Sequence, residues 1–267
     1  MPERQELTFA STVGGGTSIR ATLDRPSGGG DTRRPAAVIH RGIVSTEADN
    51  DVLEALAVAL AEAGIIVMRF EPRTAGLILD DFHAFTLEND RDDLLAAVQM
   101  VTARSDVDAR RVGLIGWWLG AMAASAASRT SASLARLCLI NPATPSYVLD
   151  CLERTNGSSK SLQPEHVPHA FAAALESADS AVDAAANEQP TLIVHAAADR
   201  AVPTTVSLEY LQALERANRP VERVLIARAD HAFGEPAVRQ ACIERVARFF
   251  AQPAASKRMN AAVGVGA

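Results

Sequence analysis

Two side chains of this sequence have the types and setting of a base and its orienting acid. His231 lies in Ala229-Asp230-His231-Ala232-Phe233-Gly234, and Asp199 lies in Ala196-Ala197-Ala198-Asp199-Arg200-Ala201-Val202-Pro203; each follows an apolar run. An imidazole steadied by a carboxylate takes a proton on its outer nitrogen, and positioned proton transfer contributes about 10²–10⁴-fold to a rate. A third stretch, Arg111-Val112-Gly113-Leu114-Ile115-Gly116-Trp117-Trp118-Leu119-Gly120-Ala121, reads as a buried strand, a sharp turn between two glycines and a helix of small residues. That is the G-x-S-x-G spacing of a nucleophile elbow. Its centre, however, is Trp118. Indole has no proton to lose near neutrality and cannot attack a carbonyl. At positive φ, which the elbow turn demands, a bulky residue costs about 1–3 kcal/mol.

The elements that must position these residues alternate. Leu7 to Val13 and Ile19 to Leu23 flank Gly14-Gly15-Gly16 and read as a hairpin. Strands are expected over Ala36–His40, Ile65–Phe70, Leu134–Ile140, Thr191–His195 and Val221–Ala227. Between them, helices are expected over Asn50–Ala63, with Leu53, Leu56 and Leu60 on one face and Gly64 as the stop, from near Asn89, over Thr205–Ala217 and over Pro236–Phe250. The second helix buries Leu95, Val98 and Val101 or their neighbours. Residues 145–189, polar and alanine-rich by turns, break the alternation and read as a small helical cap inserted into a core of residues 1–144 and 190–252. The tail, residues 253–267, has no periodic apolar face and is expected to be disordered. The fold class is α/β, a mostly parallel sheet with helices on both faces and antiparallel strands at one edge.

Composition narrows the class. The 267 residues, 48% of them hydrophobic, suffice for one sizeable core. A net charge of −6 argues against a nucleic-acid partner. The three cysteines, Cys138, Cys151 and Cys242, have no metal-binding spacing and read as reduced thiols of a cytoplasmic protein. The opening MPERQELTF carries no apolar run, and no stretch reaches the length of a membrane span.

In an open α/β sheet, ligands sit beyond the C-terminal ends of the strands, and four pieces fall there in order. His40-Arg41-Gly42, Gly116-Trp117-Trp118-Leu119-Gly120, Ala196 to Pro203 and Ala229 to Phe233 together resemble an α/β-hydrolase, from about Leu7 to Phe250. The resemblance implies an eight-stranded sheet, the family's acid at Asp199 and its histidine at His231. It implies oxyanion N–H donors at Leu119 and Ile43, with the Gly42 loop supplying the second. The serine does not carry over. Asp80-Asp81-Phe82 and the large residue in the elbow are similar to serine-less hydrolase-like proteins found beside bacterial exosortase and exopolysaccharide systems.

Base and oxyanion hole without a covalent step suit elimination, isomerisation, or attack on an ester or thioester by a water that His231 activates. The expected substrate is a small carbonyl or acyl compound, and no cofactor is implied. Arg41 and Arg73 have the chemistry to clamp a carboxylate or phosphate of that substrate; ion pairing with Glu71, Asp80 or Asp81 is the plainer role. Trp117 joins them as a substrate-binding residue. Trp118 is either a stacking platform or a plug in the space a substrate once used. Ser45 or Thr46 stands in as a displaced nucleophile only if the fold brings it beside His231. Cys138 and Cys151 read as packing residues, and His166 and His169 lack the further ligands that a metal needs. The alternative to catalysis is a non-catalytic pseudo-hydrolase that binds a partner or forms a homodimer near the cap.

Overall fold

Apolar runs of five to seven residues between helices demand burial on both faces, and the structure supplies it. A computed structural model describes residues 1–12, 16–28, 32–42, 47–72, 86–131, 133–155 and 169–252. Its strands are β1 (Glu3–Ala10), β2 (Ser18–Arg25), β3 (Arg34–His40), β4 (Ile66–Phe70), β5 (Val107–Trp117), β6 (Arg136–Ile140), β7 (Thr191–Ala196) and β8 (Val221–Ile226). The helices among the described residues are α1 (Glu47–Glu62), α2 (Leu87–Thr102), α3 (Gly120–Thr130), α4 (Pro145–Thr155), α5 (His169–Ser177), α6 (Ser180–Ala185), α7 (Val206–Arg216) and α8 (Pro236–Ala251). One eight-stranded sheet runs in the order β1-β2-β4-β3-β5-β6-β7-β8. The β1–β2 and β2–β4 pairs are antiparallel, and β3 through β8 pair in parallel.

Strand alternation sends successive side chains to opposite layers. In β5, Val112 and Leu114 face a layer built on α2, α3, α6 and α7, while Ile115 and Trp117 face α1 and α8. Leu53, Leu56 and Leu60 of α1 are buried as expected, each contributing about 1.5–3 kcal/mol relative to exposure. The helix ends because Gly64 adopts φ 89 and Ile65 N–H reaches back to Leu60 O at 3.0 Å, the wrap of a left-handed cap. Helix α2 starts at Leu87, two residues before the Asn89 start read from the sequence. Thr86 is the reason: its Oγ1 accepts Asn89 N–H at 3.0 Å and caps the first turn. Its buried stripe runs through Leu94, Val98 and Val101, with Leu95 only partly buried.

The described residues of 145–189 divide between two places. Val148 of α4 and Leu175 of α5 pack with Leu87, Leu119 and Met122, over the start of α3. Ala181, Ala184 and Ala185 of α6 join the helix layer against the sheet instead.

Candidate active site

Strand β5 delivers the elbow. Trp118 stands at φ 52, its N–H bonded to Ile140 O at 2.9 Å and its carbonyl accepting Ala121 N–H and Ala143 N–H, both at 3.2 Å. Glycine is required on both sides by space. A Cβ on Gly116 would lie 2.7 Å from Ala121 Cα, and one on Gly120 would lie 2.5 Å from His40 O. Strand, turn and helix therefore close on each other with nothing between them.

The turn carries two tryptophans with different surroundings. Trp117 is 1% exposed and packs edge-on against Phe233 at 5.6 Å, within the α1–α8 layer. Expected from the sequence to bind substrate, it is a core residue, because the last position of β5 still obeys strand alternation. Trp118 is half-buried and touches both the α1–α8 layer and the cluster under α4 and α5. Its indole meets the His231 imidazole edge to face, with centroids 5.8 Å apart and planes at 82°.

Asp199 and His231, 32 residues apart, are joined by a 2.7 Å contact between Asp199 Oδ2 and His231 Nδ1. The carboxylate is fully buried, whereas the imidazole is 20% exposed. Asp199 Oδ1 accepts Ala201 N–H at 2.8 Å and Val202 N–H at 2.9 Å, so the turn after β7 fixes the acid. A second histidine approaches from β7: His195 Nε2 lies 3.0 Å from Val202 O and 3.5 Å from Asp199 Oδ2. Both neighbours are acceptors, which assigns the hydrogen to Nε2. Burial opposes the charge on Asp199, but the contacts with His195 and His231 and the Val202 N–H outweigh it. The carboxyl is held well below the usual carboxylate range. With Nδ1 donating to Asp199, His231 Nε2 is the atom left to accept a proton.

The oxyanion positions fare differently. Leu119 N–H, at the N-terminus of α3, has no acceptor among the described residues, which leaves it available to a developing oxyanion. Gly42 N–H, expected to serve as a donor, instead bonds His40 Nδ1 at 3.0 Å. The reason is the seat of the loop: Gly42, at φ 84, lies so close to the elbow that a Cβ there would be 3.0 Å from Gly120 N. His40 is fully buried, and its Nε2 stands 3.0 Å from Asp90 Oδ2 at ion-pair distance without hydrogen-bond alignment. Ile43, Ser45, Thr46, Arg73, Asp80, Asp81, Phe82 and His166 lie outside the described residues, as does the tail from residue 253. His169 opens α5, and its side chain also lies outside them.

Arg41 faces a different place. With Arg20, Arg69 and Glu71 it lines a cleft of about 230 Å³ beside the β2–β4 pair. Arg20 bonds Glu71 there at 2.6 and 2.9 Å, and Arg69 bonds the buried Asp24 at 3.0 Å. Burial lowers the Arg41 guanidinium and nearby Glu71 partly restores it. Among the described residues no group of three or more His, Cys, Asp or Glu is placed to hold a metal, and no helix is long and apolar enough to cross a membrane.

Three side chains of the site have no role assigned to them by the sequence: those of His195, His40 and Asn141. Asn141 follows β6, is fully buried and adopts φ 44. It bonds the His231 carbonyl and the Ala196 N–H, both at 2.8 Å. The available signal was a polar residue at the C-terminal end of a buried strand, which all three share.

The comparisons with known proteins agree on this architecture. The chain is similar in structure to Est1E from Butyrivibrio proteoclasticus, with a TM-score of 0.70 and 19% identity over 91% of this chain and 96% of that one. It is similar also to the esterase domain of a Rhodothermus marinus protein, with a TM-score of 0.69 and 21% identity over 93% and 98%. A Mycobacterium tuberculosis puromycin-hydrolyzing peptidase gives a TM-score of 0.73 at 16% identity, but the chain spans only 40% of it. At such identities the likeness carries the fold, which is that of the α/β-hydrolases. No curated protein sequence matches the chain. The sequence of residues 53–257 does match a family model, and that match, over an elbow, an acid and a histidine in hydrolase order, makes the chain a member of the prolyl oligopeptidase family, Peptidase S9.

Proposed function

We propose that the protein uses His231, oriented by Asp199, as a general base on a small carbonyl compound, without forming an acyl-enzyme. The observation that carries this reading is the 2.7 Å bond from His231 Nδ1 to a fully buried carboxylate. Asp199 fixes the tautomer and stabilises the imidazolium; Nε2 takes the proton from a substrate carbon or from an attacking water. Leu119 N–H supplies an oxyanion donor, and removing one such donor from a hydrolase costs about 10²–10³-fold in kcat. Elimination, isomerisation and water-mediated cleavage of an ester or thioester all need this much and no nucleophilic side chain. Structural neighbours named as an esterase and a puromycin-hydrolyzing peptidase support an ester or amide carbonyl as the reacting group. Within the family the protein belongs, in this reading, to a serine-less branch of the kind found beside exosortase systems, and its thiols suit a reducing cytoplasm.

Turnover across ester, thioester, lactone and elimination substrates tests it. His231→Ala is expected to lower the rate on any active substrate by about 10²–10⁴-fold, while Trp118→Ala retains it. Full activity of the histidine variant ends the reading.

A non-catalytic role is the second reading, and one observation favours it. The Trp118 indole packs against His231 and into two apolar clusters at once. This reading expects no turnover on the same panel, and a homodimer or partner contact involving the surface of α4 and α5.

A further inference from the structure

We infer that Asn141 is the positioning residue that sets His231 over Asp199. The inference rests on the reading of those two residues as a working dyad. Asn141 is the first residue past β6, and its N–H bonds Val194 O at 2.9 Å, continuing the ladder to β7. Its side chain then leaves the sheet. Oδ1 accepts the N–H of Ala196, the last residue of β7, and Nδ2 donates to His231 O, each at 2.8 Å. One amide thus ties the end of the strand that leads to the acid to the backbone of the base, 90 residues further along.

The residue type follows from the task. Asn offers a donor and an acceptor on one short, neutral, planar group, and it is among the few residues enriched at positive φ. Asn141 stands at φ 44. The preceding residue is part of the same device, because Ile140 O accepts the elbow's Trp118 N–H at 2.9 Å. Two consecutive residues at the end of β6 therefore hold the elbow, through the Ile140 carbonyl, and His231, through the Asn141 side chain. Upstream, Ala198 N–H bonds Ala229 O at 2.8 Å and joins the two loops. Past Ala229, Asn141 supplies the tie to the sheet that bears on His231 itself.

Nuclear magnetic resonance of the whole chain with nitrogen-labelled histidine provides the test. The proton shared by His231 and Asp199 is expected far downfield and is assigned by its loss in His231→Ala. Asn141→Gly suits the positive φ and removes both side-chain bonds. It is expected to fold and to lose that signal. Tyr210→Phe is the control: it deletes a buried hydroxyl bonded to Ala143 O and Ser180 Oγ, away from His231, and is expected to keep the signal. Where a substrate turns over, Asn141→Gly is expected to lower kcat on the order of 10²-fold with KM unchanged, the loss that a misplacement of about 1 Å brings. Retention of the signal in Asn141→Gly, or its equal loss in Tyr210→Phe, overturns the inference. If the glycine variant does not fold, Asn141→Asp decides, since it keeps the acceptor for Ala196 N–H and lacks the amide donor; a signal unchanged there overturns the inference too. A parent protein without the signal overturns both dyad and inference. A parent signal combined with unchanged turnover in His231→Ala overturns the catalytic reading alone.

Discussion

At residue 118 two energies oppose each other. A non-glycine side chain at φ 52 carries about 1 kcal/mol or more of backbone strain. The indole repays it: truncating a fully buried Trp costs about 3–5 kcal/mol, and a half-buried one about 2 kcal/mol by the same scaling. Packing wins, so Trp118→Ala is expected to be less stable than the parent. Trp118→Gly loses the same indole but relieves the strain, and is expected to be about 1 kcal/mol more stable than Trp118→Ala in denaturant unfolding. Equal stability of the two variants would remove backbone strain from the account of the elbow. Asp199 makes a prediction in pH. Its folded-state pKa is depressed, so its contribution is present above the unfolded value of about 3.9. That contribution is lost as pH falls through the folded value. Asp199→Asn should therefore be less stable than the parent near neutrality and lose less stability between about pH 5 and pH 2. Parallel acid limbs for the two proteins would contradict the assignment.

At the scale of elements, the elbow is a packing problem solved by absent side chains. The Cβ of Gly116→Ala would meet Ala121 Cα and Gly120 O at 2.7 Å, both backbone atoms that cannot swing aside. A loss of about 1–3 kcal/mol is expected. Gly234→Ala is the contrast: its nearest contact is Asp230 Oδ2 at 3.3 Å, the end of a side chain, and a change within about 0.5 kcal/mol is expected. Unfolding curves of the two variants check the difference. The elbow was legible because glycine spacing is local. Spacing does not determine the side of Trp117, which is set by strand alternation at the last position of β5, or the partner of Gly42, whose N–H is claimed by His40 two residues away. Thr86 was missed for a smaller reason, that a cap shifts a helix start by two residues without altering its stripe.

Across the whole molecule, burial separates the three cysteines. Cys138 and Cys242 are buried, the latter pushed up to about 12 by desolvation, and Cys151 is half-buried. Only the thiolate reacts, so a thiol reagent near neutral pH is expected to modify Cys151 first and the other two only on unfolding. Rapid native modification of all three would mean that the α1–α8 layer is open. The Cys242 contribution to stability is complete below the unfolded value of about 8.5 and is lost as pH rises toward about 12.

Local order was enough to establish the class of fold, the alternation of strands and helices, the glycine-flanked turn with tryptophan at its centre, and the acid and histidine that follow later strands. Each element and turn depends on residues within a dozen or so positions of one another, where spacing and chain stereochemistry decide, and the class of fold follows from their order along the chain. The tertiary structure alone decided what those residues face. It brought His195 beside Asp199, turned Gly42 N–H onto His40, sent Arg41 to the cleft beside the β2–β4 pair and hung the His231 backbone from Asn141. The Arg41 and Asn141 contacts come from the order and register of strands in the sheet, and strand neighbours far apart in sequence leave no mark in the spacing of the chain; the His40 and His195 contacts span only two and four residues, and the turns after β3 and β7 set which way those side chains point.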